Sequence, residues 1–128
     1  MPDVERAVDA LLPLTPAVFH ILLALADGER HGYGIMKEVE TYTGGKLRLG
    51  PGTLYRSIKG LLAEGLIAES DERPDPSLDD ERRRYYRLTE FGQRVARAEL
   101  ERLTRLVAVG QAKPALRAPL PLPHAGGA

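Results

Sequence analysis

The side chains with reactive potential are few and scattered. The histidines are His20, His31 and His124, and none stands at ligand spacing from another His, Asp or Glu, so no metal site is expected. Cysteine is absent, which removes disulfides, thiolate ligands and a cysteine nucleophile. Ser57 falls in a helical pattern with no candidate base nearby, and Gly32-Tyr33-Gly34 lacks the remaining glycine and preceding strand of a dinucleotide loop. Neither an enzyme nor a cofactor is expected. A different chemistry is concentrated over residues 46 to 63, which hold Lys46, Arg48, Arg56 and Lys59 and no acid. Arg and Lys contact phosphates or guanine edges, Ser and Thr donate to either, and Tyr packs on sugars or thymine methyls. Thr53, Tyr55 and Ser57 supply the latter groups, while Gly50 and Gly52 let the backbone come close to a phosphate. The expected partner is double-stranded DNA, with Lys46, Arg48, Gly52, Thr53, Tyr55, Arg56, Ser57 and Lys59 as contacts.

Those residues need a helix to present them. Gly50-Pro51-Gly52 opens one, Leu54, Ile58, Leu61 and Leu62 form its apolar stripe, and Gly65 ends it. Three helices precede it. Val4, Val8, Leu11 and Leu12 mark a short amphipathic helix that ends before Pro13. Thr15-Pro16 caps and starts a second, apolar nearly all round, which stops at Asp27-Gly28. The third follows His31-Gly32-Tyr33-Gly34, with Ile35, Met36 and Val39 inward and His31 placed for a local cap. His20 reads as a core histidine with a hydrogen-bond partner. Tyr33 reads as packing at a helix start in preference to a DNA-backbone contact.

After Gly65, residues 66 to 70 read as a strand, residues 71 to 81 as a polar loop and residues 84 to 88 as a returning strand with Tyr86 and Leu88 on one face. Thr89 caps a last helix running to about Gly110, followed by a Pro- and Gly-rich stretch. The fold class is mainly α with a small β-hairpin: a winged helix-turn-helix domain plus a C-terminal dimerisation helix. Residues 1–88 form the DNA-binding domain, with a short N-terminal helix over 1–12; residues 89–110 form the dimerisation helix and residues 111–128 a disordered tail. Two readings stand for the hairpin tip. Its arginines grip DNA, or they pair with the loop's own acids, among them Asp71, Glu72, Asp79 and Asp80. DNA contact is expected of Arg83 and Arg84.

On the last helix, Ala96, Leu100, Leu103 and Val107 form a seam, with Phe91 and Val95 offset toward the winged domain. Either the first helix of the same chain covers that seam, or a second subunit does. The second subunit is preferred, because an isolated helix of this length is marginal and a small domain cannot cover it.

At 128 residues with 43% hydrophobic and 28% charged side chains, one domain with a modest core is expected. No apolar run approaches the ~18–20 residues that span a bilayer, and the first residues do not read as a secretory signal, so a cytoplasmic location is the default. The 18 basic and 18 acidic residues cancel, which would argue against a nucleic-acid partner. The cancellation is regional, however. Residues 1–45 carry −4, residues 46–63 carry +4, residues 64–81 carry −7 and residues 82–128 carry +7.

Five stretches, in this order and spacing, resemble the PadR-like winged-helix transcriptional regulators. They are Leu22-Leu23-Ala24-Leu25 closing into Asp27-Gly28, His31-Gly32-Tyr33-Gly34-Ile35, Gly50-Pro51-Gly52-Thr53-Leu54-Tyr55, Leu61 through Ile67, and Arg84-Tyr85-Tyr86-Arg87-Leu88-Thr89. The resemblance implies a homodimer on palindromic operator DNA, usually a repressor, with the C-terminal helical region forming the dimer. For some members it also implies release from DNA by a small aromatic effector near the dimer interface. A winged-helix interaction module without DNA binding is the alternative, supported by the acidic hairpin loop.

Overall fold

A computed structural model describes residues 2–70 and 84–117. Helix α1 (Pro2–Ala10) turns the buried Val8 into the core. Helix α2 (Pro16–Leu25) starts at a Thr15 cap whose hydroxyl accepts from the Val18 amide (3.3 Å), and it buries Ile21, Leu22, Ala24 and Leu25 at the centre of the fold. Strand β1 (Arg30–His31) leads directly into helix α3 (Gly32–Tyr42), where His31 Nδ1 accepts from the Gly34 amide at 2.9 Å. The cap anticipated for His31 is therefore present. Helix α4 (Pro51–Ala63) packs Leu54, Ile58 and Leu61 inward. Strands β2 (Ile67–Glu69) and β3 (Tyr85–Leu88) form the hairpin, and helix α5 (Glu90–Gln111) follows from a Thr89 cap.

Two features depart from the sequence reading. The hairpin is part of a three-stranded antiparallel sheet in the order β1-β3-β2, with Arg30 opposite Tyr86 and His31 opposite Tyr85. A two-residue strand has no alternation to read, so only its pairing reveals it. Arg30 also secures this corner, donating to the Ala24 carbonyl (2.7 Å) and pairing with Asp27 (3.3 Å) and Glu38 (3.4 Å). The second departure lies in the stretch expected to be disordered from residue 111. Helix α5 extends to Gln111, and a short helix α6 (Pro114–Arg117) follows. Residues 118–128 lie outside the described residues.

Helix α5 meets the winged domain over a close backbone contact. The Thr89 hydroxyl donates to the Gly65 carbonyl (2.6 Å), its oxygen accepts from the Gly92 amide (2.9 Å), and the Thr89 amide donates to the Leu66 carbonyl (3.1 Å). A Cβ on Gly92 would overlap that Leu66 oxygen. Only glycine permits this crossing. Phe91, just before Gly92, is half-buried against the core, and Val95, about one turn further on, is fully buried, as their offset from the seam predicted.

The next inward position of α5 is polar. Glu99 is 2% exposed, accepts from the Leu14 amide (2.9 Å) and is held by both Nε and Nη2 of Arg102, the latter at 3.0 Å. Burial of a lone carboxylate is costly, and these donors offset that cost. The Arg102 hydrogen bond, aided by the Leu14 amide, outweighs burial and holds the Glu99 carboxyl below its ordinary value. Leu14 immediately precedes the Thr15 cap, so Glu99 ties α5 to the start of α2.

Gly92→Ala is expected to lose ~1–3 kcal/mol by overpacking, although Ala is the better helix former by ~1 kcal/mol. A raised guanidinium midpoint would contradict the crossing as described. For Glu99, a depressed carboxyl contributes stability that is complete above its unfolded value and is lost as pH falls toward the folded one. Glu99→Gln is therefore expected to cost ~1–3 kcal/mol at neutral pH and to flatten the acid limb of the stability profile. Parallel pH–stability curves for the two proteins would show that the ionised form has no such role.

Candidate nucleic-acid interface

Helix α4 has one solvent face. Gly52, Thr53, Arg56, Lys59, Gly60 and Ala63 are all exposed, and at 100° per residue they lie opposite the buried Leu54, Ile58 and Leu61. The approach to this helix alternates: Leu47 packs on the core and Leu49 is buried, while Lys46, Arg48 and Gly50 point outward. Thr43 fixes the alternating stretch by accepting from the Leu47 amide at 3.2 Å. The ion pairs of the described residues lie elsewhere, joining Arg30 to Asp27 and Glu38, Arg84 to Glu69, Arg94 to Glu90 and Arg102 to Glu99. Lys46, Arg48, Arg56 and Lys59 thus form an exposed cationic group without a neutralising acid among the described residues.

The start of α4 reinforces this. Helices α2, α3 and α5 are capped by the side chains of Thr15, His31 and Thr89, but α4 begins at Gly50 with no side-chain cap. Its first-turn amides and the positive end of its dipole are left for an anion.

Two residues assigned to this face lie at its margins. Tyr55 is half-buried and packs against the core, with its hydroxyl over the start of α3. A Cβ on Gly32 would lie 2.5 Å from that hydroxyl oxygen, so Tyr55 braces α4 against α3. The heptad spacing of Tyr55 and Leu62 carried the signal, since Leu62 already belonged to the apolar stripe. Ser57, also half-buried, lines a crevice of about 230 Å³ with Leu14, Thr15 and Val18 on the opposite flank. The exposed reading face is narrower than the apolar stripe implied.

At the wing, Arg84 pairs with Glu69 at 3.4 Å, both side chains about two-fifths exposed (41% and 39%). Any phosphate reached by Arg84 competes with that carboxylate. Arg83 and the acidic loop lie outside the described residues. Three rings gather at the wing's root. His31 stacks on Tyr33 (6.3 Å between centroids) and meets Tyr85 edge-on (5.3 Å). His20, expected to be a core histidine with a hydrogen-bond partner, is instead half-buried outside the core cluster, and its partner is the Tyr42 hydroxyl, 3.4 Å from its Nδ1. That hydroxyl donates to the His20 carbonyl (2.6 Å), and burial, with Glu38 adding to it, pushes Tyr42 up to about 12.

The seam of α5 is split. Ala96 packs on the core and Leu103 is half-buried, whereas Leu100 (54%) and Val107 (57%) are exposed, together with Leu106 and Val109. Helix α1 lies against another face of α5, beside Arg94, Ala98 and Glu101, and leaves Leu100 and Val107 of the seam uncovered. Gln93, Ala96, Arg97 and Leu100 line one side of a groove of about 400 Å³, with Leu25, Arg87 and Leu88 opposite. Among the described residues, no group of three or more His, Cys, Asp or Glu side chains could hold a metal, and no helix is long and apolar enough to cross a membrane.

Similarity to known proteins agrees with this geometry. A family model described as the transcriptional regulator PadR-like family matches residues 21–98. The chain is 38% identical over 95 residues to the transcriptional regulator Rv3488 of Mycobacterium tuberculosis, covering 72% of this chain and 82% of that protein. It is 36% identical over 86 residues, 67% of its own length, to an uncharacterised 37.1 kDa protein in transposon Tn4556 of Streptomyces fradiae, and spans 22% of that protein. Among solved structures, RosR of H. salinarum is similar at a TM-score of 0.57 and 27% identity, over 84% of this chain and 86% of that one. A PadR family transcription regulator from Clostridium difficile R20291 shares the fold at a TM-score of 0.62 and 21% identity, over 77% of this chain and 97% of that one. The chain is a transcriptional regulator and not an enzyme, and it belongs to the PadR-like family.

Proposed function

We propose that this regulator is a sequence-specific DNA-binding protein of the cytoplasm that represses transcription as a homodimer on a palindromic operator. The observation that carries the reading is the acid-free solvent face of α4, where Thr53, Arg56 and Lys59 stand beyond an uncapped helix start. Arg56 and Lys59 are placed for base edges or phosphates, Gly52 and Thr53 for a phosphate at the helix start, and Lys46 and Arg48 for the flanking backbone. Tyr55 acts by bracing the helix and Ser57 at its flank. Arg83 and Arg84 extend the contact toward the wing.

The homodimer reading rests on the seam of Ala96, Leu100, Leu103 and Val107. Two α4 helices related by a two-fold axis would read half-sites about 34 Å apart, one turn of B-DNA. Release by a small aromatic effector is supported by the groove between α5 and the winged domain, whose volume of about 400 Å³ suits a small molecule. An effector there would touch Leu100, and so reach the dimer seam directly.

Arg56→Ala and Lys59→Ala are expected to lower affinity for a selected operator duplex. For every phosphate left without its cation, the slope of log K against log salt should also fall by roughly 0.9. Unchanged operator binding by both variants would overturn the assignment of α4 as the reading helix, whereas no DNA binding by the wild-type chain would favour the interaction-module alternative. Sedimentation should give a dimer at micromolar concentration, dissociated by Leu100→Glu; a stable wild-type monomer would refute the homodimer.

A further inference from the structure

Tyr33 and Lys37 stand one turn apart on the outer face of α3, both exposed, with Tyr33 at 55%. Exposed tyrosines at a helix start are commonly held by packing, and packing accounts for this ring only in part. His31 stacks on one side of it, and the Lys37 ammonium lies 5.7 Å from its centroid. Lys37 is held over the ring and not paired with Glu40, which lies a further turn along the helix; Glu38 is engaged by Arg30 at 3.4 Å. The result is an exposed phenol ring with an ammonium near its face that no ion pair among the described residues neutralises.

The neighbours of this pair define where it sits. Gly32, the residue before Tyr33, abuts the Tyr55 hydroxyl of α4. His31, the residue before that, meets Tyr85 of β3 at the root of the wing. Tyr33 therefore occupies the junction between the helix assigned to the major groove and the strand that returns from the wing. In helix-turn-helix docking the helix that precedes the recognition helix crosses the DNA backbone, so a duplex bound by α4 would bring that backbone to α3, which carries Tyr33 and Lys37.

We propose that Tyr33 and Lys37 form a phosphate-binding pair, in which the Tyr33 hydroxyl donates to a backbone phosphate oxygen while the Lys37 ammonium neutralises its charge. The proposal rests on the DNA-binding reading of α4 and adds to it a sequence-independent contact outside that helix. His31 positions the ring through its stack on Tyr33, with its Nδ1 fixed by the Gly34 amide. The pair holds the backbone, which sets the depth of α4 in the groove and carries no base preference of its own.

The test is a fluorescence-anisotropy titration of the full chain, at several salt concentrations, on a duplex of mixed sequence and on one selected for tight binding. Tyr33→Phe keeps the ring between His31 and Lys37 and removes only the hydroxyl. It is expected to weaken binding about tenfold per subunit, and so about a hundredfold in a dimer, on both duplexes with an unchanged salt slope, as for a hydrogen bond to a charged group that can no longer form. Lys37→Ala is expected to lower the salt slope by about 0.9 per phosphate, twice over in a dimer, again on both duplexes. Arg56→Ala serves as the reference, since it should reduce the preference for the selected duplex. Wild-type affinity and slope in both Tyr33→Phe and Lys37→Ala, while Arg56→Ala loses its preference, would overturn the pair and leave the α4 reading intact. Absence of DNA binding by the wild-type chain would overturn both.

Discussion

The crossing of α5 over the end of α4 governs the geometry of this molecule. Leu66 follows the last turn of α4 directly, and its carbonyl receives the Thr89 amide while Gly92 lets the helix backbone close upon it. A long helix held at one point could pivot. Here Val95 packs into the core and Glu99 reaches back to the Leu14 amide, so successive turns of α5 are fixed to different parts of the winged domain. The exposed seam on α5 and the exposed face of α4 thereby belong to one rigid unit. Dimerisation through that seam would set the separation and tilt of two α4 helices without any hinge between them.

A chain of zero net charge carries a cationic surface by segregation. Several of its acids are paired away from α4: Asp27 and Glu38 with Arg30, Glu69 with Arg84, and Glu99 with Arg102. The cations of α4 and its approach have no such partners among the described residues. Screening limits the reach of such a field to about 10 Å at moderate salt, so the local sign matters more than the total. A neutral chain of this kind gains little from long-range attraction, so on the proposed reading its affinity would depend on correct docking of both subunits.

Much of this was legible in the residues. The caps at Thr15, His31 and Thr89, the proline starts at Pro16 and Pro51 and the stripe on α4 each carry a local signal, and each stands where it was expected. What escaped depends on contacts distant in sequence. Strand β1 exists only through its pairing with β3, and the bracing role of Tyr55 depends on the missing side chain of Gly32, 23 positions earlier. Glu99 carries no local signal of its burial, because its partner Leu14 is 85 residues away. Tyr33 shows the same limit from the other side: its pattern suggested packing, and its exposure with Lys37 against the ring emerges only in the folded chain.

The central claim is that two α4 faces, fixed by α5 in a symmetric pair, read DNA. Selection of bound duplexes from a random-sequence library by the purified full-length chain tests it most directly. The account predicts an enriched palindrome whose half-sites are centred about one helical turn, 10–10.5 bp, apart. Recovery of a single unpaired half-site, or of no enriched sequence at all, would contradict it.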